Sequence, residues 1–295
     1  MLNKIKKNVL LAPYTTYKIG GVADYFVEAN NKAELILAVK FARENNLPLF
    51  VLGCGANILV SEKGFRGLGL HNISSGVVVE NSVVVADSGV EISNLIIKTA
   101  EEGLSGFEHF AGIPSSVGGA IKQNLHFLAP NRQETFYLSE ILKDVTVLDK
   151  NNKIKILKNK DLKFGYDKSL LHKEELVVLD ATFELKKERR VLIERQIEEN
   201  LKWRSEKHPN WIELPSCGSV FKKIDGVGAG RLIEQAGLKG KTIGKVQVSP
   251  KHANFLINLG GATAIEVFSL IKFIQKDVKK QTGYFLEPEI SFVGD

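Results

Sequence analysis

Apolar residues recur at helical spacing in several parts of the chain, and capping residues stand at the ends of these stripes. The stripe over residues 35–42 follows Asn31 and Glu34, which have the spacing of a capping box. The stripe over residues 92–99 stops before Gly103, a residue type that ends helices in the left-handed conformation. These two patterns predict amphipathic surface helices in the first half of the chain.

The clearest helical pattern lies near the end of the chain. Thr263 and Glu266 have the spacing of a second capping box, the apolar stripe continues over residues 267–278, and Gly283 closes it. A longer amphipathic segment, residues 191–202, predicts a linker helix between an N-terminal and a C-terminal part.

Short runs rich in β-branched residues lie between the helices and predict strands. Residues 77–86 turn at Asn81 and Ser82, which favours an antiparallel hairpin over the strand–helix alternation of a doubly wound sheet. Residues 284–293 alternate as a strand does, and we expect them to return to the first part of the chain. The whole pattern predicts an α+β fold. Together with the C-terminal segment, the predicted strands cover residues 49–52, 77–79, 83–86, 145–148 and 177–183.

Composition narrows the class of protein. The chain has 295 residues, 44% hydrophobic and 25% charged, which is enough for two or more packed domains. Cys54 and Cys217 are the only cysteines, so a disulfide framework and a structural zinc site are excluded, and we expect a cytoplasmic location. The apolar stretch 9–12 ends at Pro13, too short for a signal peptide, and no stretch approaches the roughly 20 apolar residues of a membrane span.

The formal net charge of +6 is compatible with an anionic partner. Lys and Arg are spread along the chain, and the densest basic run, residues 186–190, has no neighbouring aromatic residues for base stacking. We therefore expect a small phosphorylated ligand, and neither nucleic acid nor a membrane as a partner.

Three glycine-rich bends, at residues 20–21, 53–57 and 112–119, lie in the first half of the chain. Consecutive glycine amides can form an anion nest, although each bend alone is as readily an ordinary tight turn. The second bend lacks the third glycine of a Rossmann fingerprint and leads into a strand. Together the bends favour an extended dinucleotide with the shape of FAD. The expected FAD-contacting residues are Gly53, Cys54, Gly55, Ala56, Asn57, Gly112, Ile113, Pro114, Ser115, Ser116, Gly118 and Gly119.

A succession of short motifs, each weak by itself, covers nearly the whole chain. They are Thr16-x-x-x-Gly20-Gly21-x-Ala23-Asp24, Leu52-Gly53-x-Gly55-x-Asn57-Ile58-Leu59-Val60, Gly64-Phe65-Arg66-Gly67, Ala111-Gly112-Ile113-Pro114 with Gly118-Gly119-Ala120, Phe164-Gly165-Tyr166, Pro215-Ser216-Cys217-Gly218-Ser219-Val220-Phe221-Lys222, Gly237-Leu238-Lys239-Gly240, His252-Ala253-Asn254-Phe255 and Leu286-Glu287-Pro288-Glu289-Ile290. In this order they resemble the UDP-N-acetylenolpyruvoylglucosamine reductase family. The chain has no room for the extra tyrosine-bearing loop of the longer type, so it resembles the shorter type.

The resemblance implies a fold. We expect a FAD-binding domain of the vanillyl-alcohol-oxidase (PCMH) type, followed by a smaller α+β substrate-binding domain that includes the linker helix. The last strand would carry Glu289. The expected bounds are 1–190 for the FAD-binding domain, with subdomains at about 1–73 and 74–190, then 191–283 for the substrate-binding domain and 284–295 for the C-terminal strand.

The resemblance also implies a reaction. NADPH reduces FAD, and a hydride then reduces the enolpyruvyl group of UDP-N-acetylglucosamine enolpyruvate, which gives UDP-N-acetylmuramate for peptidoglycan synthesis. A proton must follow, so the site needs a positioned acid and groups that stabilise enolate charge. Ser219 matches the family's proton donor and Glu289 its catalytic glutamate. A turn hydroxyl and an exposed strand acid are the alternative interpretations of these two residues.

Further residues match positions at which the family binds the UDP-sugar. Arg204 and Lys207 match basic residues near its phosphates, where charge-assisted bonds to a diphosphate favour cations. For Gln247, His252 and Asn254, substrate contact and a structural role are equally open. His252 has no metal-ligand partner at a useful spacing, and we expect no metal. The expected substrate-binding residues are Tyr166, Arg204, Lys207, Gln247, His252 and Asn254.

Two segments depart from the family pattern. After Phe-Gly-Tyr the family has an arginine that helps to hold the developing enolate, whereas this chain has Asp167, whose charge has the opposite sign. We predict that Lys168 supplies the missing positive charge as a catalytic residue. Residues 125–128 replace small residues that the family has beside the flavin.

Other functions remain open from the sequence. Asp167 favours the hypothesis of a catalytically impaired module that binds FAD and a nucleotide sugar without turnover. A flavin oxidase that acts on another substrate is a third possibility. In each case we expect a monomer.

Overall fold

Two compact units make up the chain, and neither is a continuous stretch of sequence. The structure is a computed structural model that describes residues 4–224 and 226–294. Within these residues, the first unit comprises 4–5, Val27–Cys54 and Gly69–Arg204, and the second comprises Lys6–Phe26, Gly55–Leu68, 205–224 and 226–294.

This division differs from the predicted one of 1–190, 191–283 and 284–295. The predicted linker helix belongs to the first unit as far as Arg204, and two N-terminal segments belong with the C-terminal residues. Hydrophobic periodicity identifies elements but does not say which distant segments pair, and so it assigns neighbours in the sequence to the same domain.

Strands and helices are mixed along the described residues, as the predicted α+β class requires. The strands are β1 (Lys6–Leu10), β2 (Val22–Ala29), β3 (Leu49–Leu52), β4 (Ile58–Val60), β5 (Phe65–Asn72), β6 (Val77–Glu80), β7 (Val83–Asp87), β8 (Leu104–Ser105), β9 (His126–Leu128), β10 (Thr135–Tyr137), β11 (Leu142–Leu148), β12 (Ile154–Lys158), β13 (Val177–Glu184), β14 (Lys186–Lys187), β15 (Thr242–Ile243), β16 (Val246–Val248), β17 (Leu256–Asn258) and β18 (Ser291–Val293). The helices are α1 (Lys32–Glu44), α2 (Ile92–Glu101), α3 (Val117–Gln123), α4 (Arg190–Lys207), α5 (Ala229–Gln235) and α6 (Ala264–Thr282).

An antiparallel five-stranded sheet lies in the first unit, in the order β12-β11-β13-β7-β6. Its buried face contributes Val84, Val145 and Phe183 to a core that α2 and α3 complete. The predicted hairpin of β6 and β7 is confirmed, and Asn81 takes a left-handed conformation at its turn, with a φ of 58°. None of the helices in the described part of the chain combines the length and the apolar character that a membrane span requires.

The predicted helices of the first unit are confirmed, with one change at a cap. The Asn31 side chain accepts from the Glu34 N–H at 2.9 Å and begins α1. The Glu34 carboxylate, however, accepts from the N–H of Asn30 at 3.0 Å, so the reciprocal bond goes to the preceding residue. Gly103 follows α2 with a φ of 65°.

In the second unit, α5 and α6 share a core with the small sheet β15-β16-β17. The predicted capping box of α6 is confirmed: the Thr263 N–H donates to Glu266 at 2.9 Å, and the Glu266 N–H donates to the Thr263 hydroxyl at 3.2 Å. Within the predicted C-terminal strand, only Ser291–Val293 form a strand, which pairs in parallel with β4. The end of the chain therefore returns to residues 58–60.

Candidate active site

The bend after β3 lies against the residue that begins α3. A Cβ atom on Gly53 would be 2.1 Å from the Ser116 Oγ, so no larger residue fits there without movement. Burial raises the pKa of the adjacent Cys54 to about 12, and Glu91 adds to the rise. The thiol is therefore neutral near pH 7 and lines the bend without acting as a nucleophile. Two of the predicted flavin loops thus meet in the first unit.

Backbone amides at this junction can receive a diphosphate. Among the described residues, the N–H groups of Gly112, Ser115 and Ser116 donate to no protein acceptor. The next N–H groups, of residues 117–119, already donate to protein oxygens at 2.8 to 3.3 Å. The free amides of the loop before α3 therefore fit the diphosphate of FAD. The amides of Gly118 and Gly119 are already hydrogen-bonded to protein oxygens.

The other half of the 53–57 bend belongs to the second unit. Gly55 has a φ of 63°, and its carbonyl accepts from the N–H of Thr16 at 3.1 Å. The carbonyl of Asn57 accepts from the N–H of Ser291 at 3.0 Å, immediately before β4. The Thr16 hydroxyl also donates to the carbonyls of Gly55 and Ser216, at 3.4 and 2.8 Å, which explains why a threonine accompanies this bend. For Ala56 and Asn57, contact with FAD stays a prediction.

Two arginine side chains lie against Phe127 in the first unit. The Cζ atoms of Arg204 and Arg132 are 5.3 and 5.9 Å from its ring centroid. Arg132 also lies 5.7 Å from the Trp203 ring. In the part of the chain described, neither arginine has a carboxylate within ion-pair distance. Burial lowers the pKa of Arg204 to about 10, so it still carries its charge at neutral pH.

Arg204 borders a predicted flavin loop. Its Cδ and Nε would be 3.1 and 3.2 Å from a Cβ on Gly112, which has a φ of 80°. Glycine is needed here both for the backbone conformation and for the close approach. The sequence prediction placed Arg204 at the phosphates of the UDP-sugar, and the structure adds that the side chain is held beside Gly112.

Asp167 lies in a tight turn with a backbone φ of 50°. The N–H of Gly165 donates to the carbonyl of Lys168 at 2.9 Å and closes the turn. The Asp167 side chain is only 4% exposed, and its Oδ1 is 3.7 Å from the Nδ1 of His126. The Lys168 side chain is exposed, and its catalytic role stays a prediction. Residues 125–128 and Asp167, the two places where the chain departs from the family pattern, are therefore in contact.

Ser219 and Glu289 lie on neighbouring extended segments of the second unit. Ser219 forms a bridge with Phe255 on one side, and on the other side the Glu289 N–H donates to the carbonyl of Val220 at 2.8 Å. Burial raises the pKa of the Cys217 thiol, and the Glu289 carboxylate adds to the rise. The backbone thus brings the predicted proton donor and the predicted catalytic glutamate to neighbouring extended segments.

Asn254 holds the segment that carries Ser219. Its Oδ1 accepts from the N–H of Phe221 at 3.0 Å, and its Nδ2 donates to the carbonyl of Phe221 at 2.8 Å. Its backbone carbonyl also accepts from the N–H of Val220 at 2.9 Å. Because the whole carboxamide is engaged, the structure favours a positioning role for Asn254.

His252 and Gln247 also have protein contacts. The His252 ring centroid is 5.1 Å from that of His208 and 5.0 Å from that of Phe255, and burial lowers the pKa of His252. The Gln247 Nε2 donates to the Thr242 hydroxyl at 3.2 Å. Substrate contact by these residues stays a prediction.

Comparisons with known proteins agree with this geometry. Residues 23–158 match the family described as FAD binding domain, and residues 208–293 match the family described as UDP-N-acetylenolpyruvoylglucosamine reductase, C-terminal domain. A UDP-N-acetylenolpyruvoylglucosamine reductase from Caldanaerobacter subterraneus subsp. tengcongensis is 40% identical over 294 residues, which are 99% of this chain and 94% of the relative.

This chain belongs to the UDP-N-acetylenolpyruvoylglucosamine reductase family.

A second member of the family, from Clostridium novyi, is 38% identical over 99% of this chain and 93% of its own length. The crystal structure of the Thermus caldophilus reductase superposes with a TM-score of 0.82 at 29% identity, and the match covers 98% of this chain and all of that one. The family resemblance, the fold class and the FAD-binding domain predicted from the sequence are confirmed. The hypothesis of a catalytically impaired module gains no support from these relatives.

Sequence reasoning gave no role to His126, Arg132 or Trp203. All three lie outside the motifs given above, and only His126 stands in the segment 125–128 that departs from the family pattern. An ionisable ring in place of a small residue was the available signal for His126, but its contacts become visible only in the structure.

Proposed function

We propose that this chain is a cytoplasmic, monomeric, NADPH-dependent flavoenzyme that reduces the enolpyruvyl group of UDP-N-acetylglucosamine enolpyruvate. The observation that carries the proposal is the 40% identity to a reductase of this name over 99% of the chain. Two features support it, because the reaction needs both a flavin site and a positioned acid. They are the loop before α3 in the first unit and, in the second unit, the Ser219 and Glu289 segments that neighbour each other.

FAD held by the loop before α3 would supply the redox chemistry by which a hydride from NADPH reaches the substrate's double bond. Ser219 then donates a proton to the other carbon of that bond, so hydride and proton together saturate it. A serine hydroxyl is a weak acid and acts here by placement. Asn254 fixes the backbone beside Ser219, and Glu289 on the neighbouring extended segment supplies the acid group.

The cationic residues of the site bind the substrate's phosphates in this proposal. Arg204 keeps its charge despite burial, and Lys207 is exposed at the end of α4. Tyr166 lies in the turn that precedes Asp167 and offers a ring face to the sugar. Gln247 and His252 contact the nucleotide part of the UDP-sugar in this proposal.

The test uses the purified full-length protein loaded with FAD. We expect a flavin absorbance spectrum, NADPH oxidation that depends on the enolpyruvyl UDP-sugar, and formation of the saturated product. Glu289→Gln should lower the rate of substrate reduction by roughly 100-fold or more. Glu287→Gln is the matched control, because Glu287 lies two residues away, is 67% exposed and pairs with Lys222.

Two results would overturn the proposal. One is a protein that binds FAD yet oxidises NADPH at the same rate with and without the UDP-sugar. The other is an equal loss of activity in the Glu287 and Glu289 variants, which would remove the special role of Glu289. Sedimentation of the loaded protein as a dimer would refute the monomeric part alone.

A further inference from the structure

The contact between His126 and Asp167 joins a buried carboxylate to an ionisable ring. The Asp167 side chain is 4% exposed and that of His126 is 18% exposed, with 3.7 Å between Oδ1 and Nδ1. A buried carboxylate is costly unless a cation or hydrogen-bond donors compensate it. A protonated His126 is the cation that this contact can offer to the Asp167 carboxylate.

The imidazole is held on several sides. Its Nδ1 is also 3.3 Å from the carbonyl oxygen of Asn124, so this nitrogen faces two acceptor oxygens and can donate a hydrogen bond when it carries a proton. The ring centroid lies 5.3 Å from that of Tyr137 and 4.8 Å from that of Tyr166. A side chain constrained in this way presents its charge in one fixed position.

The pair is tied to the far end of the helix that begins at the predicted flavin loop. The Asn124 Nδ2 donates to the carbonyl of Gly165 at 3.1 Å, and the Ser169 hydroxyl donates to the carbonyl of Lys122 at 2.7 Å. Both bonds attach the Asp167 turn to the C-terminal end of α3. A seven-residue helix is about 10 Å long, so α3 acts as a short rigid spacer between the loop and the pair.

We propose that His126, held and kept protonated by Asp167, is the cation that stabilises negative charge as this chain's substrate is reduced. Asp167 is its positioning residue. The inference rests on the proposed function, in which the double bond lies beside a carboxylate and builds enolate charge. It explains how an aspartate is tolerated in this turn, because the negative charge of Asp167 is directed at His126.

The test separates the two half-reactions by stopped-flow absorbance of the bound flavin. NADPH reduces the flavin-loaded enzyme in the first, and the enolpyruvyl UDP-sugar reoxidises it in the second. We expect His126→Gln to slow reoxidation by about 100-fold and Asp167→Asn by about tenfold. Reduction by NADPH should stay within about twofold of the wild type, which a merely structural defect would not spare.

Non-additivity and rescue test whether the two residues act as one unit. The double variant His126→Gln with Asp167→Asn should be no slower than His126→Gln alone, since Asp167 acts through His126. Asp167→Arg in the His126→Gln background should recover part of the reoxidation rate by restoring a cation. His172→Gln is the matched control, because His172 also contacts α3, through Gln123, at 2.7 Å.

Each outcome decides between stated alternatives. If the UDP-sugar reoxidises the wild-type enzyme and both single variants at the same rate, this inference is overturned and the proposed function stands. A large effect of Lys168→Ala with none of His126→Gln also overturns it and assigns the charge to Lys168. Failure of the UDP-sugar to reoxidise the wild-type enzyme refutes the proposed function itself. If His126→Gln loses its flavin, Asp167→Asn decides, since asparagine keeps the size and accepts the left-handed backbone.

Discussion

Replacing Asn254 with alanine should destabilise the second unit strongly. The substitution leaves the N–H and the carbonyl of Phe221 without their partners, and Phe221 is only 1% exposed. A buried polar group left unpaired costs about 1 to 3 kcal/mol, so two such groups predict a loss of about 2 to 6 kcal/mol in the free energy of unfolding. The bond from Val220 to the backbone carbonyl of residue 254 survives.

Asn254→Asp tests the direction of each hydrogen bond. The aspartate carboxylate can still accept from the N–H of Phe221, but it repels the carbonyl oxygen of Phe221. Protonation of the carboxylate removes this repulsion and restores a donor. Its folded pKa is therefore raised, and the native state binds more protons than the unfolded state. We expect this variant to gain stability as the pH falls from 8 to 5, unlike Asn254→Ala.

The assay is urea unfolding followed by tryptophan fluorescence in a Trp203→Phe background, which leaves Trp211 as the reporter in the second unit. Asn210→Ala is the control, since its carboxamide accepts only from the exposed N–H of Ile212 at 3.1 Å. A loss below about 0.5 kcal/mol in Asn254→Ala, or the same pH trend in both Asn254 variants, would refute the reasoning.

Further predictions concern the flavin loop, the buried arginine and a histidine. Gly53→Ala should weaken FAD binding at least tenfold, measured by fluorescence titration of apoprotein, because the new Cβ would meet the Ser116 Oγ at 2.1 Å; unchanged affinity would contradict the packing. Arg204→Met keeps the stem that packs near Gly112 but removes the charge, so it should raise the dissociation constant of a diphosphate ligand by about tenfold or more with little change in thermal midpoint. Because burial lowers the pKa of His252 below its ordinary value of 6.5, the unfolded state binds more protons and stability falls as the pH drops below about 6.5. His252→Gln should flatten that fall in unfolding midpoints between pH 7.5 and 5, and an unaltered slope would exclude His252 as its source.

Local signals predicted the elements of this fold well. Capping residues and apolar spacing located α1, α2 and α6, because these helices are specified by residues within one or two turns. The pairing of β4 with β18 depends on residues far apart in the sequence, and alternation alone predicts a strand without naming its partner. The two compact units differ from the predicted contiguous bounds for this reason.

The candidate site was predictable where backbone chemistry dictates the residue type. Glycine at residues 53 and 112 follows from close approach or a positive φ, and both were selected from the sequence. The sign of Asp167 was noticed, but its partner was not, since His126 lies in a different segment and is brought close only by the folded turn. The effect of one charge on another depends on the distance between them, which the sequence does not give.

The parallel pairing of β18 with β4 has a consequence for how the protein is made. Residues 58–60 leave the ribosome long before residues 291–293, which complete their sheet. At about 5 to 20 residues per second, roughly 12 to 47 seconds of translation separate the two strands. During that interval β4 lacks the strand that completes its sheet, so its backbone N–H and C=O groups on that side stay unpaired until the last residues have been synthesised.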